Sequence, residues 1–209
     1  MGNEAATASG LLELGAATLG ESGALLMHPR MAAVWPGAAV AAPAYPVLCA
    51  PADNLAIHAA VVRAPQGSVL VVDASRTPER GYWGEVLTTG AESRGLAGLV
   101  IDGGVRDRSA LEAHRFPVFA TMVALRGATK EQPGTNGSPV HVGDAPVSLG
   151  DWIVADADGV VVIPSGQLDE VLTAGRARAD KEEGLFAALR GGKTTVELLA
   201  LDTSPIVEG

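Results

Sequence analysis

Apolar positions follow two different periods along this chain, which predicts a mixture of strands and helices. Nearly continuous apolar runs at residues 68–73 and 96–101 predict buried strands, because each run is short and bounded by polar or glycine residues. Two further apolar runs, 152–156 and 160–163, flank an Asp158-Gly159 pair, which is a strong hairpin signal. The pattern therefore favours an α/β chain.

Helical spacing predicts three main helices. One runs to about residue 63 with Asp53 or Asn54 as its cap, and a short one covers residues 108–114. A long one begins at a cap at Ser165 and runs to about residue 189. Residues 1–9 precede the first apolar stripe, and we expect them to be frayed and flexible.

The long C-terminal helix carries an acidic residue on its apolar seam. The seam follows alternating spacings of four and three, and its members are Leu168, Leu172, Gly175, Ala179, Glu182, Phe186 and Leu189. Glu182 is either a helix-end carboxylate that reaches solvent or an acid delivered into a polar cavity by packing against another subunit. The second interpretation places residues 165–201 at a subunit interface.

Composition limits the classes of function. The 209 residues predict a single domain, 1–209, and 47% hydrophobic with only 4% aromatic residues predicts a core of Ala, Val and Leu. A net charge of −9 argues against a nucleic-acid partner. No apolar run is long enough for a membrane span and no signal peptide is evident, so we expect a soluble, cytoplasmic protein. The single cysteine, Cys49, is expected to be a buried structural thiol.

The stretch from Trp83 to Asp107 holds the candidate chemistry. Gly84-Glu85 is predicted to open a helix, so the free backbone N–H groups of Val86 and Leu87 could face a ligand. Such groups, together with the helix dipole, bind a carboxylate or a phosphate well.

The same stretch ends in an arginine–aspartate pair. Gly103-Gly104 is expected to turn the chain tightly after the buried strand. Arg106 then supplies a planar guanidinium and Asp107 a hard oxygen ligand. Adjacent loops could thus bind a 2-oxo acid and a divalent cation together.

Each candidate residue also has a purely structural interpretation. Asp107 could cap the helix that follows it, Arg106 could lie on the surface, and Glu85 could be an ordinary first-turn acid. His58 lies on the apolar stripe of its helix, where a satisfied core-edge histidine is more common than a ligand. The four histidines do not have zinc-ligand spacing.

Residues 84–107, GEVLTTGAESRGLAGLVIDGGVRD, followed by FPVFA at 116–120, resemble the central signature of a known family. It is the RraA-like family, which includes the regulator of ribonuclease activity A and the 4-hydroxy-4-methyl-2-oxoglutarate aldolases. The segments DNLAIHAA at 53–60, LGDWIVADADGVVVIP at 149–164 and KEE at 181–183 resemble the aldolase branch. The resemblance covers roughly residues 10–200.

The resemblance implies a swivelling, phosphohistidine-domain-like β/β/α sandwich that assembles into trimers or hexamers with active sites between subunits. It implies that Asp107 is the protein ligand of Mg²⁺ or Mn²⁺. Arg106 would bind the 2-oxo acid and stabilise its enolate, while the N–H groups of Val86 and Leu87 would hold the carboxylate.

Three further positions match family residues, and two depart from the family. Glu85 stands where an acid orients metal-bound water, Asn54 matches a pocket residue, and Glu182 matches an acid contributed by the adjacent subunit. Gly184-Leu185 stands near where the aldolases usually carry an arginine, and Gly20-Glu21 where a histidine is common. The resemblance therefore implies a retained pyruvoyl end and leaves the distal specificity open.

These observations predict a divalent-metal-dependent lyase that cleaves a C–C bond of a 2-oxo acid through a pyruvate enolate. The reaction would be retro-aldol cleavage, with oxaloacetate decarboxylation as a related activity. One alternative is another lyase, a dehydratase or an isomerase on the same enolate site. Others are a non-catalytic protein-binding regulator like the ribonuclease inhibitor branch, and a homologue that binds 2-oxo acids without turnover.

Overall fold

Parallel strands form the middle of a ten-stranded sheet in the computed structural model, which describes residues 2–207, with side chains from residue 4 onward. The strands are β1 (Leu25–Leu26), β2 (Ala32–Ala33), β3 (Val40–Leu48), β4 (Val69–Asp73), β5 (Gly81–Trp83), β6 (Gly98–Val105), β7 (Val118–Val123), β8 (Thr135–Asn136), β9 (Val140–Val142), β10 (Ala145–Val147), β11 (Trp152–Asp156) and β12 (Gly159–Ile163). The α-helices are α1 (Gly2–Gly20), α2 (Leu55–Arg63), α3 (Glu85–Ser93), α4 (Arg108–His114), α5 (Leu168–Arg190) and α6 (Thr195–Leu198).

The sheet order is β1-β12-β11-β3-β4-β6-β7-β2, with β5 added beside β6 and β8 beside β3. Strands β3, β4, β6 and β7 are parallel neighbours, whereas β11 and β12 join as the antiparallel hairpin that the sequence predicts. Strands β9 and β10 form a separate hairpin. The predicted fold class is confirmed as a single mixed α/β domain with a curled sheet and packed helices.

The core is made of small aliphatic side chains, as the composition predicts. Val69 to Val72 in β4 and Leu99 to Ile101 in β6 are fully buried, as expected for parallel strands covered on both faces. Helix α2 packs its buried residues Ala56, Ile57, Ala60 and Val61 toward this sheet. The two apolar runs therefore become the central strands that lead to the candidate site.

Helix α1 differs from the predicted flexible N-terminus. Residues 2–9 are helical, as an alanine-rich segment of high helix propensity allows, and Met1 lies outside the described residues. The helix is kinked at Gly15, which has φ 77°, and the Asp156 carboxylate accepts a hydrogen bond of 2.7 Å from the Ala16 amide just beyond the kink.

The predicted turn at Gly103-Gly104 is wrong. Both glycines lie inside β6, which continues to Val105. A Cβ on Gly103 would lie 2.9 Å from the Ala74 Cβ, and one on Gly104 would lie 2.7 Å from the Ala124 Cβ. The glycines are therefore required by close packing of neighbouring segments, and they extend the strand instead of ending it.

Only the first half of α5 is buried by its own chain. Val171, Leu172 and Gly175 are buried, whereas Phe186 is 48% exposed. The predicted seam thus runs past the domain surface in its second half. That residues 165–201 meet another subunit stays a prediction.

Composition predicts a buried thiol at Cys49 and no apolar run long enough to span a membrane. Cys49 is buried, and burial raises the pKa of its thiol to about 12, which fits a structural role. Among residues 2–207, no helix combines the length and hydropathy that crossing a membrane requires.

Candidate active site

The candidate site lies where two adjacent parallel strands end. The chain leaves β5 at Trp83 and enters α3 through Gly84, and it leaves β6 at Val105 and enters α4 through Arg106 and Asp107. The Arg106 amide donates a 2.9 Å hydrogen bond to the Trp83 carbonyl, which ties the two strand ends together. Ligands commonly bind outside the carboxyl ends of strands in open α/β sheets.

Asp107 occupies the cap position of α4 without capping it. Its side chain makes no hydrogen bond to that helix, and its Oδ2 instead accepts a 3.1 Å bond from the Glu85 amide of α3. Its backbone is left-handed, with φ 59° and ψ 36°, a conformation that costs a non-glycine residue about 1–3 kcal/mol. The interpretation of Asp107 as a side-chain cap is therefore wrong, because the carboxylate faces the start of another helix.

Gly84 permits this close approach. Its φ of −167° is open to any residue, so conformation does not require glycine here. A Cβ would instead overlap the Asp107 carboxylate and lie 3.1 Å from the Arg106 Cγ. Absence of a side chain at Gly84 lets the carboxylate and the arginine stem lie against the backbone.

Arg106 lies along a groove formed by glycines. Its Cδ would be 3.1 Å from a Cβ on Gly81, and its Nη1 would be 3.5 Å from one on Gly127. The guanidinium Nε is 3.7 Å from Asp107 Oδ2, and the side chain is 45% exposed. Arg106 is thus half exposed, as a surface residue would be, yet it borders the same cavity as Asp107.

A single cavity of about 250 Å³ brings together most of the predicted site. The predicted residues that line it are Asn54, Gly84, Val86, Leu87, Arg106 and Asp107. The amides of Val86 and Leu87 belong to the first turn of α3, where N–H groups lack intrahelical partners. The cavity therefore offers several donors to an anionic oxygen.

Asn54, which also lines the cavity, is 5% exposed. Its Nδ2 donates a 2.7 Å hydrogen bond to the Tyr82 carbonyl, while its Oδ1 has no hydrogen-bond partner among the described residues. Asn54 thus presents an unused acceptor.

Asp53, next to Asn54, fixes the loop that contributes Lys130 to the lining of the cavity. Its carboxylate accepts bonds from the Leu55 amide at 2.9 Å, the Thr129 hydroxyl at 2.7 Å and the Glu131 amide at 2.6 Å. Burial alone would raise the pKa of Asp53, but these hydrogen bonds, with one from the Gln132 amide, outweigh burial and lower it to about 2. The carboxylate stays ionised and holds the loop that carries Lys130 over the cavity.

His58 also lines the cavity, one helical turn after Asn54. Its Nε2 is buried and has no partner in the part of the chain that the structure describes. Burial first, and the positive charge of Lys130 second, lower the pKa of the imidazole. The expectation of a satisfied core-edge histidine is therefore wrong, because an unpaired ring nitrogen remains beside the candidate site.

Two predicted catalytic acids are not among the residues that line the cavity. The Glu85 side chain extends toward His114, with its Oε1 3.6 Å from Nε2, and the other ring nitrogen of His114 is 2.8 Å from Glu92. Glu182 lies on α5, where its Oε1 is 3.0 Å from the Nε of Arg178, which also pairs with Glu21. The roles predicted for Glu85 and Glu182 stay predictions.

Asp107 is the residue here that suits a divalent cation. Across residues 2–207 no group of three or more His, Cys, Asp or Glu side chains could form a metal site. Mg²⁺ does not need such a group, because it keeps several waters and is commonly held by one or two carboxylates plus substrate. The Asp107 side chain is 41% exposed and borders the cavity, so its donor chemistry fits Mg²⁺ or Mn²⁺.

Sequence reasoning set His58 aside as a core-edge residue and missed Lys130, although both line the cavity. His58 follows Asn54 by four positions, a spacing that places both on one face of a helix, and this was the available signal. Lys130 lies in the long polar loop at 126–139, where no periodic pattern indicates which side chain faces inward.

Comparison with protein families matches residues 16–162 to the model described as "RraA-like: Aldolase/RraA". A protein of Halalkalibacterium halodurans named "Putative 4-hydroxy-4-methyl-2-oxoglutarate aldolase" is 40% identical over 144 residues, covering 68% of this chain and 69% of that protein. A Burkholderia mallei protein of the same name is 37% identical over 117 residues, covering 56% of this chain and 71% of its own.

Two solved structures also superimpose on this chain. An uncharacterized protein from Pseudomonas syringae superimposes with a TM-score of 0.82 and 26% identity, over 90% of each chain. The RNA-processing inhibitor RraA from Thermus thermophilis superimposes with a TM-score of 0.61 and 26% identity, over 68% of this chain and 85% of that one.

Proposed function

This chain belongs to the RraA-like family, and from that membership and the cavity geometry we propose that it is a divalent-metal-dependent lyase. It cleaves a C–C bond of a 2-oxo acid through a pyruvate enolate, as a 4-hydroxy-4-methyl-2-oxoglutarate-type aldolase with related activity on oxaloacetate. The observation that carries the proposal is that Val86 and Leu87 of the first turn of α3 line one small cavity together with Arg106 and Asp107.

The chain's own groups suit the pyruvoyl half of such an acid. The first-turn amides of α3 bind its carboxylate, because unpaired N–H groups and the helix dipole both favour an anion. Arg106 donates to the 2-oxo oxygen, and its hydrogen bonds strengthen as negative charge develops there in the enolate. The two loops hold the reacting carbon between donors whose positions are fixed before the substrate binds.

Asp107 would hold Mg²⁺ or Mn²⁺ through its carboxylate. When bound, such a cation supplies Lewis-acid polarisation of the 2-oxo group. The amide of Glu85 fixes one oxygen of Asp107 at 3.1 Å, which orients the carboxylate before any ligand arrives.

The proposal is tested by pyruvate release from 4-hydroxy-4-methyl-2-oxoglutarate and from oxaloacetate, with Mg²⁺ and with a chelator. Asp107→Asn is the informative variant, because asparagine tolerates the left-handed backbone and still accepts the Glu85 hydrogen bond. We expect a folded protein that releases pyruvate at least about 100-fold more slowly and binds Mn²⁺ weakly. Asp158→Asn, in the exposed β11–β12 turn, is the matched control and should behave as the wild type.

Activity that persists in chelator, or in Asp107→Asn, contradicts the metal role. Turnover of other 2-oxo acids but not of these two would favour a different lyase, a dehydratase or an isomerase on the same enolate site.

A non-catalytic regulator is the second candidate function. It is favoured by the structural similarity to the RNA-processing inhibitor RraA. A regulator would bind a partner protein tightly and release no pyruvate with any divalent metal, so the same assay separates the two.

A further inference from the structure

His114 lies between two carboxylates of the neighbouring helix α3. Its Nδ1 is 2.8 Å from Glu92 Oε2, and its Nε2 is 3.6 Å from Glu85 Oε1. Glu85 and Glu92 are separated by two helical turns, so both lie on one face of α3. His114 is the last residue of α4, the helix that begins directly after Asp107. A single imidazole therefore joins the two helices that open at the candidate site.

The two α3 carboxylates are the only ion-pair partners of His114 among the described residues. On its own chain segment, Glu112 makes no ion pair with it in that part of the chain. The guanidinium of Arg115 lies over the Trp35 ring instead, 5.2 Å from the ring centre. The His114 side chain is 26% exposed, so water screens its two ion pairs only partly. The charge on this imidazole therefore acts mainly on α3.

The Glu92 contact fixes where the imidazole carries its proton. A carboxylate can only accept a hydrogen bond, so the 2.8 Å contact requires a proton on Nδ1. A neutral imidazole has one N–H group, so its Nε2 then presents a bare lone pair to the Glu85 carboxylate. A protonated imidazole has two N–H groups and presents a proton and a positive charge to Glu85. The Glu85 contact is therefore attractive only when His114 is protonated.

Glu85 lies between His114 and the candidate site. The residues on either side of it, Gly84 and Val86, line the cavity, whereas Glu85 does not. Its amide donates to Asp107 Oδ2 at 3.1 Å, which holds its backbone at the site. Its side chain is 57% exposed, which leaves it room to rotate between staggered conformations. The contact with His114 therefore decides on which side of α3 this carboxylate lies.

We propose that His114 is a positioning residue that holds the Glu85 carboxylate outside the cavity when its imidazole is protonated and releases it when the imidazole is neutral. Histidine is the side chain whose charge ordinarily changes between about pH 5 and 8. Turnover should therefore rise with pH as the predicted acid of the site becomes free to reach the cavity. The effect on turnover rests on the proposed function, whereas the contact itself rests only on the geometry of α3 and α4.

The first experiment measures kcat for pyruvate release from 4-hydroxy-4-methyl-2-oxoglutarate between about pH 5 and 8, with the intact protein and Mg²⁺. An exposed ion pair changes a population by up to about fivefold, so His114→Ala should be faster than wild type by up to about fivefold at the acid end. The two rates should converge at the alkaline end, where the wild-type contact is broken.

The matched control is His141→Ala, at the exposed middle position of β9, which should follow the wild-type pH profile. Every variant keeps His58, which also lines the cavity. Any pH dependence that His58 contributes is therefore common to all of these proteins and cancels in the comparison.

Glu92→Ala should have the opposite effect to His114→Ala. Without Glu92, the neutral imidazole is free to carry its proton on Nε2, which then donates to Glu85 at alkaline pH as well. Turnover should therefore be slower than wild type, by up to about fivefold, where the wild type is fastest. A merely structural loosening of α3 from α4 predicts instead that both substitutions change turnover in the same direction.

Nitrogen NMR of protein with isotope-labelled histidine tests the contact without turnover. At the alkaline end, the wild-type His114 ring should carry its proton on Nδ1, and Glu92→Ala should move that proton to Nε2. The signals of His114 are identified by their loss in His114→Ala.

The inference is overturned if His114→Ala and wild type share one pH profile, or if His114→Ala and Glu92→Ala change turnover in the same direction. A proton on Nε2 of the neutral wild-type ring also overturns it, whether or not the protein cleaves this acid. A wild type that releases no pyruvate at any pH, with its proton on Nδ1, removes the proposed function and supports the contact.

Discussion

Gly84 should tolerate no side chain, and Gly84→Ala is the sharpest perturbation of the site. A methyl group at this position would overlap the Asp107 carboxylate and lie 3.2 Å from the Asp107 Cγ and 3.1 Å from the Arg106 Cγ. The backbone of Gly84 is extended, at φ −167°, so alanine brings no conformational strain. The effect of the substitution is therefore displacement of the two groups that are proposed to bind the metal and the enolate oxygen.

The magnitude follows from the size of that displacement. Relieving the overlap moves the Asp107 carboxylate by about 1 Å, and a misplacement of this size can lower a rate by about 100-fold. That loss corresponds to about 2.7 kcal/mol in the barrier. The 3.1 Å hydrogen bond from the Glu85 amide is lost as well, which lowers stability by only about 0.5–1.5 kcal/mol because the carboxylate is 41% exposed.

The matched control is Gly90→Ala in the same helix. A Cβ at Gly90 would lie 3.6 Å from a Val61 methyl, an ordinary contact, and alanine should stabilise the helix by up to about 1 kcal/mol. The assays are steady-state pyruvate release, Mn²⁺ titration and thermal unfolding. The contrary result is a Gly84→Ala protein that keeps the activity and Mn²⁺ affinity of Gly90→Ala. That result would refute the claim that Asp107 and Arg106 leave no room for a side chain at Gly84.

Two other substitutions test the donors and the loop of the cavity. Arg106→Lys should lower kcat for both substrates by about 100-fold, because a point charge does not replace a guanidinium fork at the developing oxyanion, and a wild-type kcat would exclude that role. Asp53→Asn should lower the unfolding free energy by roughly 2–3 kcal/mol at neutral pH, since the folded-state pKa of Asp53 is lowered to about 2. This stabilisation is complete above the unfolded pKa of about 3.9 and is lost as the pH falls toward 2, so unfolding curves of wild type and variant should converge in that window.

The strands and helices around the site could be predicted because burial leaves a clear pattern. A run such as residues 96–101 is apolar on both faces, and only a strand covered on both sides suits it. The start of α3 at Gly84-Glu85 and the hairpin at Asp158-Gly159 were predictable from local turn and helix-start chemistry.

Other features depend on contacts that local sequence does not encode. Gly103 and Gly104 have the sequence signature of a turn, but they are glycines because Ala74 and Ala124 pack against their backbone from distant segments. Asp107 has the signature of a helix cap, and only the position of α3 shows that its carboxylate faces the Glu85 amide. His58 has the signature of a core residue, and only the folded chain shows that its buried Nε2 has no partner among the described residues.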